Sequence, residues 1–165
     1  MTVAVNGIAH IQLTVSDPDR CIPFWESLCH FLEMQTLLRN EDSVYCIGSR
    51  TGILVRGAPA EKRGAQFDQD TAGLHHICFR ARSAEDVDAI ARFVTEDLQA
   101  KVVQPAADRS QFAPGYYSLV FEDPDGIRVE FNFVPGKGHF GEAGRLGPDG
   151  QGPADSYGSD GLNDR

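Results

Sequence analysis

The sequence predicts an α+β fold built from two βαβββ modules. Three observations carry that prediction. A Gly-apolar-any-His-Ile strand pattern occurs at Gly7–Ile11 and again at Gly73–Ile77, placing His76 66 residues after His10. Each pattern runs into a segment with a helix start signal and apolar residues at helical spacing. Each helix is then followed by three short strand-like pieces, the last two of the second set joined by Asp123-Pro124-Asp125-Gly126, a strong turn sequence.

The elements follow in order. In the opening strand Ile11, Leu13 and Val15 alternate with His10, Gln12 and Thr14, the period of a strand with one buried face. Ser16, three residues before Asp19, marks the start of the first helix at capping-box spacing. That helix carries Ile22, Trp25, Leu28, Cys29 and Leu32, and Pro23 is expected to kink or delay its start. Strands are expected near 34–39, 43–47 and 52–56. Residues 57–72 read as a linker. The second strand pattern, 73–81, leads to Ser83, three before Asp86, and to a helix with Val87, Ile90, Ala91, Val94 and Leu98 in one stripe. Strands near 101–103, 116–121 and 127–134 complete the second module. Module one thus spans about 5–58 and module two about 73–135, within one domain of residues 1–135.

The remaining residues, 136–165, hold nine of the chain's 17 glycines and few apolar side chains. Such a segment cannot offset its ordering entropy by burial, so a flexible Gly/Asp-rich tail is expected.

Composition narrows the function. With 41% hydrophobic and 24% charged residues, the chain is a globular type. A net charge of −9 speaks against nucleic-acid or anionic-membrane partners, either of which needs a basic face. With no secretion signal in the opening residues and no long apolar run, a cytoplasmic location is expected. Cys21, Cys29, Cys46 and Cys78 lack the close pairing of a zinc knuckle and are expected to be reduced thiols in the core.

Parity selects the candidate site. If the apolar residues of each strand pack under the helix, then His10 in the first strand, His76, Cys78 and Arg80 in the fifth, and Arg128, Glu130 and Asn132 in the last occupy the opposite faces. A cup closed by the two modules would cover those faces. Two imidazoles and a carboxylate in one cavity suit a divalent metal with open coordination positions. His75 has the wrong parity and reads as a structural or supporting residue, while His30 and His139 read as unrelated. Cys78, two residues from His76, is expected beside the metal.

At these residues the chain resembles the vicinal oxygen chelate superfamily, which includes glyoxalase I, bleomycin-resistance proteins, fosfomycin-resistance enzymes and type I extradiol dioxygenases. The resemblance covers about residues 5–135 and rests on His10-Ile11-Gln12-Leu13-Thr14-Val15 with Asp17, on His76-Ile77-Cys78-Phe79 and on Asp123-Pro124-Asp125-Gly126-Ile127-Arg128-Val129-Glu130-Phe131. It implies paired βαβββ modules forming a cup-shaped sheet around one divalent metal held by His10, His76 and Glu130. The metal would be Fe(II) first, with Mn(II), Zn(II) or Ni(II) as alternatives. Glyoxalase I has a fourth, carboxylate ligand at the end of its fourth strand. Aligning Gly52-Ile53-Leu54-Val55-Arg56 with Gly126-Ile127-Arg128-Val129-Glu130 places Arg56 there, and arginine cannot ligate.

What remains is a 2-His-1-carboxylate set, the pattern of non-haem Fe(II) oxygenases. The place of the extradiol acid–base tyrosine is Val120, so Tyr116 and Tyr45 are the candidates for that role. Arg56, Arg80 and Arg128 are candidates for an anionic substrate, and Cys78 is a further substrate-binding candidate. The expected function is a metal-dependent, dioxygenase-like enzyme on a small substrate that chelates through oxygens. The alternatives are a Mn- or Zn-dependent transferase, lyase or isomerase, and a non-catalytic small-molecule binder. A homodimer is expected, because open sheets leave edge strands that need cover.

Overall fold

A computed structural model of the chain describes Val3, residues 7–48 and residues 50–135. The expected tail, 136–165, lies outside the described residues, as does His139. The strands are β1 (Ile11–Val15), β2 (Gln35–Arg39), β3 (Ser43–Gly48), β4 (Thr51–Gly57), β5 (Ile77–Arg80), β6 (Lys101–Asp108), β7 (Tyr117–Glu122) and β8 (Arg128–Phe133). The helices are α1 (Pro18–Phe31) and α2 (Ala84–Glu96), with a short 3-10 turn at Ala60–Lys62. Two four-stranded mixed sheets result, in the orders β1-β4-β3-β2 and β5-β8-β7-β6, so each βαβββ module builds one open sheet. The α+β class and the duplication are as the sequence predicts.

The chain divides into two compact units. Among the described residues, the first comprises those up to 72 together with the turn 122–127, and the second comprises 73–121 and 128–135. In the first, β1 runs parallel to β4 and β3 antiparallel to it. Leu13 faces Val55, Val44 faces Val55 and Cys46 faces Ile53, which stacks the buried side chains of three strands on one face. α1 covers that face with Cys21, Ile22, Trp25, Leu28 and Cys29. Gln12 and Thr14, the intervening residues of β1, are exposed.

In the second unit β5 runs parallel to β8, placing Ile77 opposite Val129 and Phe79 opposite Phe131. Phe79, Phe131 and Phe121 form a stack, with ring centroids 5.0 and 6.0 Å apart. Val87, Ile90 and Val94 of α2 are its buried stripe. The hydroxyl of Tyr117 donates to Asp88 of α2 at 2.8 Å, which pins the helix to β7.

Three local expectations are corrected. Ser16 does not cap α1; Asp17 does, its carboxylate accepting from the Arg20 N–H at 3.3 Å. Ser16 is instead held by Asp125, with its N–H on one carboxylate oxygen and its hydroxyl 3.0 Å from the other. Pro18 supplies the favoured proline of the first turn, and the helix runs on through Pro23 without stopping. Burial of α1 on three strands outweighs the hydrogen bond that Pro23 cannot make. The second cap is as predicted: the Ser83 hydroxyl accepts from the Asp86 N–H at 3.1 Å. Of the four free thiols, Cys21, Cys29 and Cys46 are buried, but Cys78 is exposed.

The turn 123–127 is more than a connection. Asp123 is 4% exposed, and its carboxylate accepts from Trp25 Nε1 at 2.8 Å and from the N–H groups of Asp125 and Ile127 at 2.9 and 2.8 Å. Gly126 adopts φ +91°, which a side chain would strain, and so lets the turn close. The Phe67 N–H donates to the Asp125 carbonyl, tying the linker to the same point. Burial pushes the Asp123 carboxyl up to about 6, against the three N–H donors that favour its charge.

The folded carboxyl therefore keeps its proton to higher pH than the unfolded one, whose value is 3.8. Its contribution to stability is greatest below about pH 4 and declines as pH rises towards 6. Asp123→Asn keeps the backbone acceptor but turns an amide N–H towards Trp25 Nε1, at a cost of about 1–3 kcal/mol. Urea unfolding of both proteins across this range should show the stability difference moving in the variant's favour as pH rises, by on the order of 2–3 kcal/mol, the free-energy equivalent of that shift, enough to cancel the deficit.

Candidate functional site

Strand parity brings Glu130, Cys78 and His76 to one face of the second sheet. Cys78 lies opposite Glu130 in the β5–β8 register, and His76 immediately precedes β5. His76 Nε2 is 3.2 Å from Glu130 Oε2. The other oxygen, Oε1, accepts a 2.6 Å bond from the Tyr116 hydroxyl, which in turn accepts from Asn132 Nδ2 at 2.8 Å. On the far side of His76, its Nδ1 is 2.8 Å from Nδ1 of His75. His75, Asn132 and Tyr116 thus hold a His–Glu pair from three directions. The supporting role expected for His75 fits this placement.

The electrostatics follow from these contacts. Burial would raise the Glu130 carboxyl, but the bonds from His76 and Tyr116 outweigh it and hold the group below the usual carboxylate range. The Tyr116 phenol is pushed up by burial and by its bond to Glu130. It is therefore a hydrogen-bond donor at neutral pH and a poor base. The Cys78 thiol is pushed up to about 12 by desolvation and by the neighbouring charge of Glu130. At neutral pH it is a protonated, weakly nucleophilic thiol.

The first unit carries His10 one residue before β1. Its ring meets Tyr45 of β3 edge-on, with centroids 6.4 Å apart. Gly52 makes room for Tyr45: a Cβ there would stand 2.6 Å from Tyr45 Cε2 and 2.7 Å from Oη. Arg56 is exposed on β4, opposite Thr14 and Ser43. Arg80 pairs in register with Asn132, and Arg128 is half-buried on β8. His30 bonds Thr36 at 2.8 Å.

The donor atoms of His76 and Glu130 suit a divalent cation. At 3.2 Å apart, these two atoms would be near enough for both to hold one ion. His75 can accept from His76 Nδ1–H, which leaves Nε2 free to ligate, the usual orientation of a metal-binding histidine. Among the described residues, no three or more His, Cys, Asp or Glu side chains gather closely enough to hold an ion. The fit is that of two ligands.

The duplication, the strand orders and this face agree with one family. Residues 7–131 match the family model described as the Glyoxalase/Bleomycin resistance protein/Dioxygenase superfamily. The chain belongs to that superfamily. Protein YqjT of Bacillus subtilis (strain 168), named as uncharacterized, is 30% identical over 124 residues, covering 73% of this chain and 94% of that protein. A putative glyoxalase from Bacillus halodurans has a TM-score of 0.67 at 24% identity, over 78% of this chain and 96% of that one. Lactoylglutathione lyase from Agrobacterium tumefaciens has a TM-score of 0.56 at 20% identity, over 78% of this chain and 94% of that one. These two likenesses are of fold.

Within this superfamily member, strand register corrects the internal alignment of the two modules. β1 pairs Gln12 with Leu54 and Thr14 with Arg56, while β5 pairs Cys78 with Glu130 and Arg80 with Asn132. Since His10 and His76 begin the two strands alike, Gln12 corresponds to Cys78, so the counterpart of Glu130 is Leu54. Arg56 corresponds to Asn132. The glycine-to-glycine alignment was two residues out because the turns before β4 and β8 differ, and parity cannot detect a shift of two. The conclusion for the fourth ligand position stands on different chemistry: leucine has no donor atom.

Tyr116→Phe tests the support of Glu130. Removing the phenol leaves Oε1 and Asn132 Nδ2 without that partner, at about 1–3 kcal/mol. Glu130 contributes stability above its unfolded value and loses it as pH falls through its depressed folded value. In the variant the loss should begin at higher pH, which carboxyl 13C titration and urea unfolding would both register.

Proposed function

We propose that the protein is a divalent-metal-dependent enzyme of this superfamily, with His10, His76 and Glu130 as the metal ligands and a small substrate that binds the metal through oxygens. The observation that carries the reading is the His76–Glu130 pair, with both carboxylate oxygens engaged and the imidazole backed by His75. Metal ligands are held from outside by bonds of this kind. The match of His10 to His76 at the start of corresponding strands supports the third ligand.

Two histidines and one carboxylate favour Fe(II) and dioxygenase-like chemistry, with Mn(II), Zn(II) or Ni(II) as the other occupants. A bound ion of this class supplies a Lewis acid and, if iron, an O₂ site. The chain's own residues orient and hold protons. Tyr116 keeps Glu130 ionised and aligned, and Tyr45 presents a hydroxyl-bearing ring beside His10. Arg80 and Arg128 share the strand face of Glu130 by parity, where they can steady an anionic substrate. The second reading is a Mn- or Zn-dependent lyase or isomerase, and the lactoylglutathione lyase from Agrobacterium tumefaciens shares the fold.

Metal analysis of anaerobically purified protein should give one divalent ion per chain, lost in Glu130→Ala. O₂ uptake over a panel of catechols separates the dioxygenase reading from the lyase one. Full metal content in Glu130→Ala would overturn the ligand assignment.

Assembly as a cytoplasmic homodimer belongs to the same proposal. No helix among the described residues is long and apolar enough to cross a membrane. β2 is an edge strand that exposes Leu37 at 63%. Sedimentation should give a species near twice the chain mass of 18.0 kDa.

A further inference from the structure

The corrected register shows that the two copies of the module have diverged at two corresponding positions. Where the second copy has Glu130 and Asn132, the first has Leu54 and Arg56. A carboxylate and an amide are replaced by an apolar side chain and a cation, on the strand face away from α1. The first copy cannot hold a metal there, and its chemistry suits an anion with an apolar body.

A groove of about 710 Å³ lies over those residues. Its lining includes Ser43, Leu54 and Arg56 of the sheet, Leu38 of the edge strand, and Asp42 and Arg63. This is within the size range of small-molecule sites. Arg63 is already committed, with Nη2 3.0 Å from Asp42 Oδ1 and Nε 3.3 Å from the Ala58 carbonyl. Arg20 and Arg39 likewise face Asp17 and Glu26. Arg56 has no hydrogen bond or ion pair among the described residues. Two arginines and one aspartate leave the groove at +1, in a chain of net charge −9.

We infer that this groove is the recognition site for a small monocarboxylate with an aryl or branched alkyl body. The carboxylate meets the Arg56 guanidinium, whose fork matches it in two parallel bonds. One uncommitted guanidinium accepts one anionic group, so dianions gain nothing further. Leu54, on the same strand face as Arg56, and Leu38, 47% exposed, supply the surface for the apolar body. The Ser43 hydroxyl donates to Asn40 Oδ1 and keeps its lone pairs for a ligand N–H or O–H. The inference names the end of the proposed enzyme's substrate that does not bind the metal, an apolar body carrying a carboxylate, and rests on that reading for its catalytic meaning. The binding itself needs no metal.

The test uses full-length protein dialysed against chelator, titrated calorimetrically with 3-phenylpropanoate and with its neutral counterpart 3-phenylpropanamide. The acid should bind saturably and at least tenfold more tightly than the amide. Arg56→Gln should lower the acid's affinity about tenfold or more and erase the difference between the two. Leu54→Ser should weaken both ligands alike. Absence of saturable acid binding, equal affinity for acid and amide, or full discrimination retained in Arg56→Gln would overturn the inference. Acid binding through Arg56 in a protein that takes up no metal would overturn the enzyme reading and leave the groove assignment standing. Stoichiometric metal with no acid binding would do the reverse.

Discussion

Each sheet in this protein buries one face beneath its helix, and the two-residue period of a strand sends every other side chain to the opposite face. That single constraint places the chemistry. Val129 and Phe131 are buried on the second sheet, so Arg128, Glu130 and Asn132 must lie on the face away from them. In the first sheet Ile53 and Val55 are buried, so Leu54 and Arg56 stand on the other side. A slip of one residue in β8 would put Glu130 into the phenylalanine stack and Phe131 among polar groups, a cost the fold cannot meet.

The Asp123 turn does the corresponding work for the first unit. Trp25 is fully buried and carries one N–H that must find an acceptor. Asp123 provides it, at the expense of burying a carboxyl whose titration is displaced upwards. Asp125 then holds Ser16 just before α1, so the start of the helix is fixed by a residue 109 positions away as well as by the local Asp17 cap. One turn, stiffened by Pro124 and closed by Gly126, therefore anchors the helix start.

Duplication with divergence makes functional sense of the two sheets. Both copies keep a histidine just before the first strand of the sheet, and both set a tyrosine near a member of the proposed ligand set: Tyr45 against His10, Tyr116 against Glu130. They differ where β4 and β8 lie beside those strands. The second copy presents Glu130 with its hydrogen-bonded supports, and the first presents Leu54 and Arg56. Cation binding and anion recognition demand opposite local charge, and under the proposals above separate copies of one module would let a small domain of strongly negative net charge supply both.

Much of this was legible in the residues. The Gly-apolar-any-His-Ile repeat, the alternation after it and the Asp123–Gly126 turn determined the two βαβββ modules, their buried faces and the shared face of His76, Cys78 and Glu130. Those signals are local, and a local period is all that parity requires. What lay beyond reach depended on pairing across the chain. The sequence could not show that Ser16 is bound by Asp125 rather than capping α1, because both roles use the same side chain and the partner is distant. It could not show that Leu54, and not Arg56, matches Glu130, because residues two apart share a face and only the hydrogen-bonded register of β1 with β4 and β5 with β8 distinguishes them. Side-chain type and period are written along the chain, whereas register and partner choice are properties of strands already assembled.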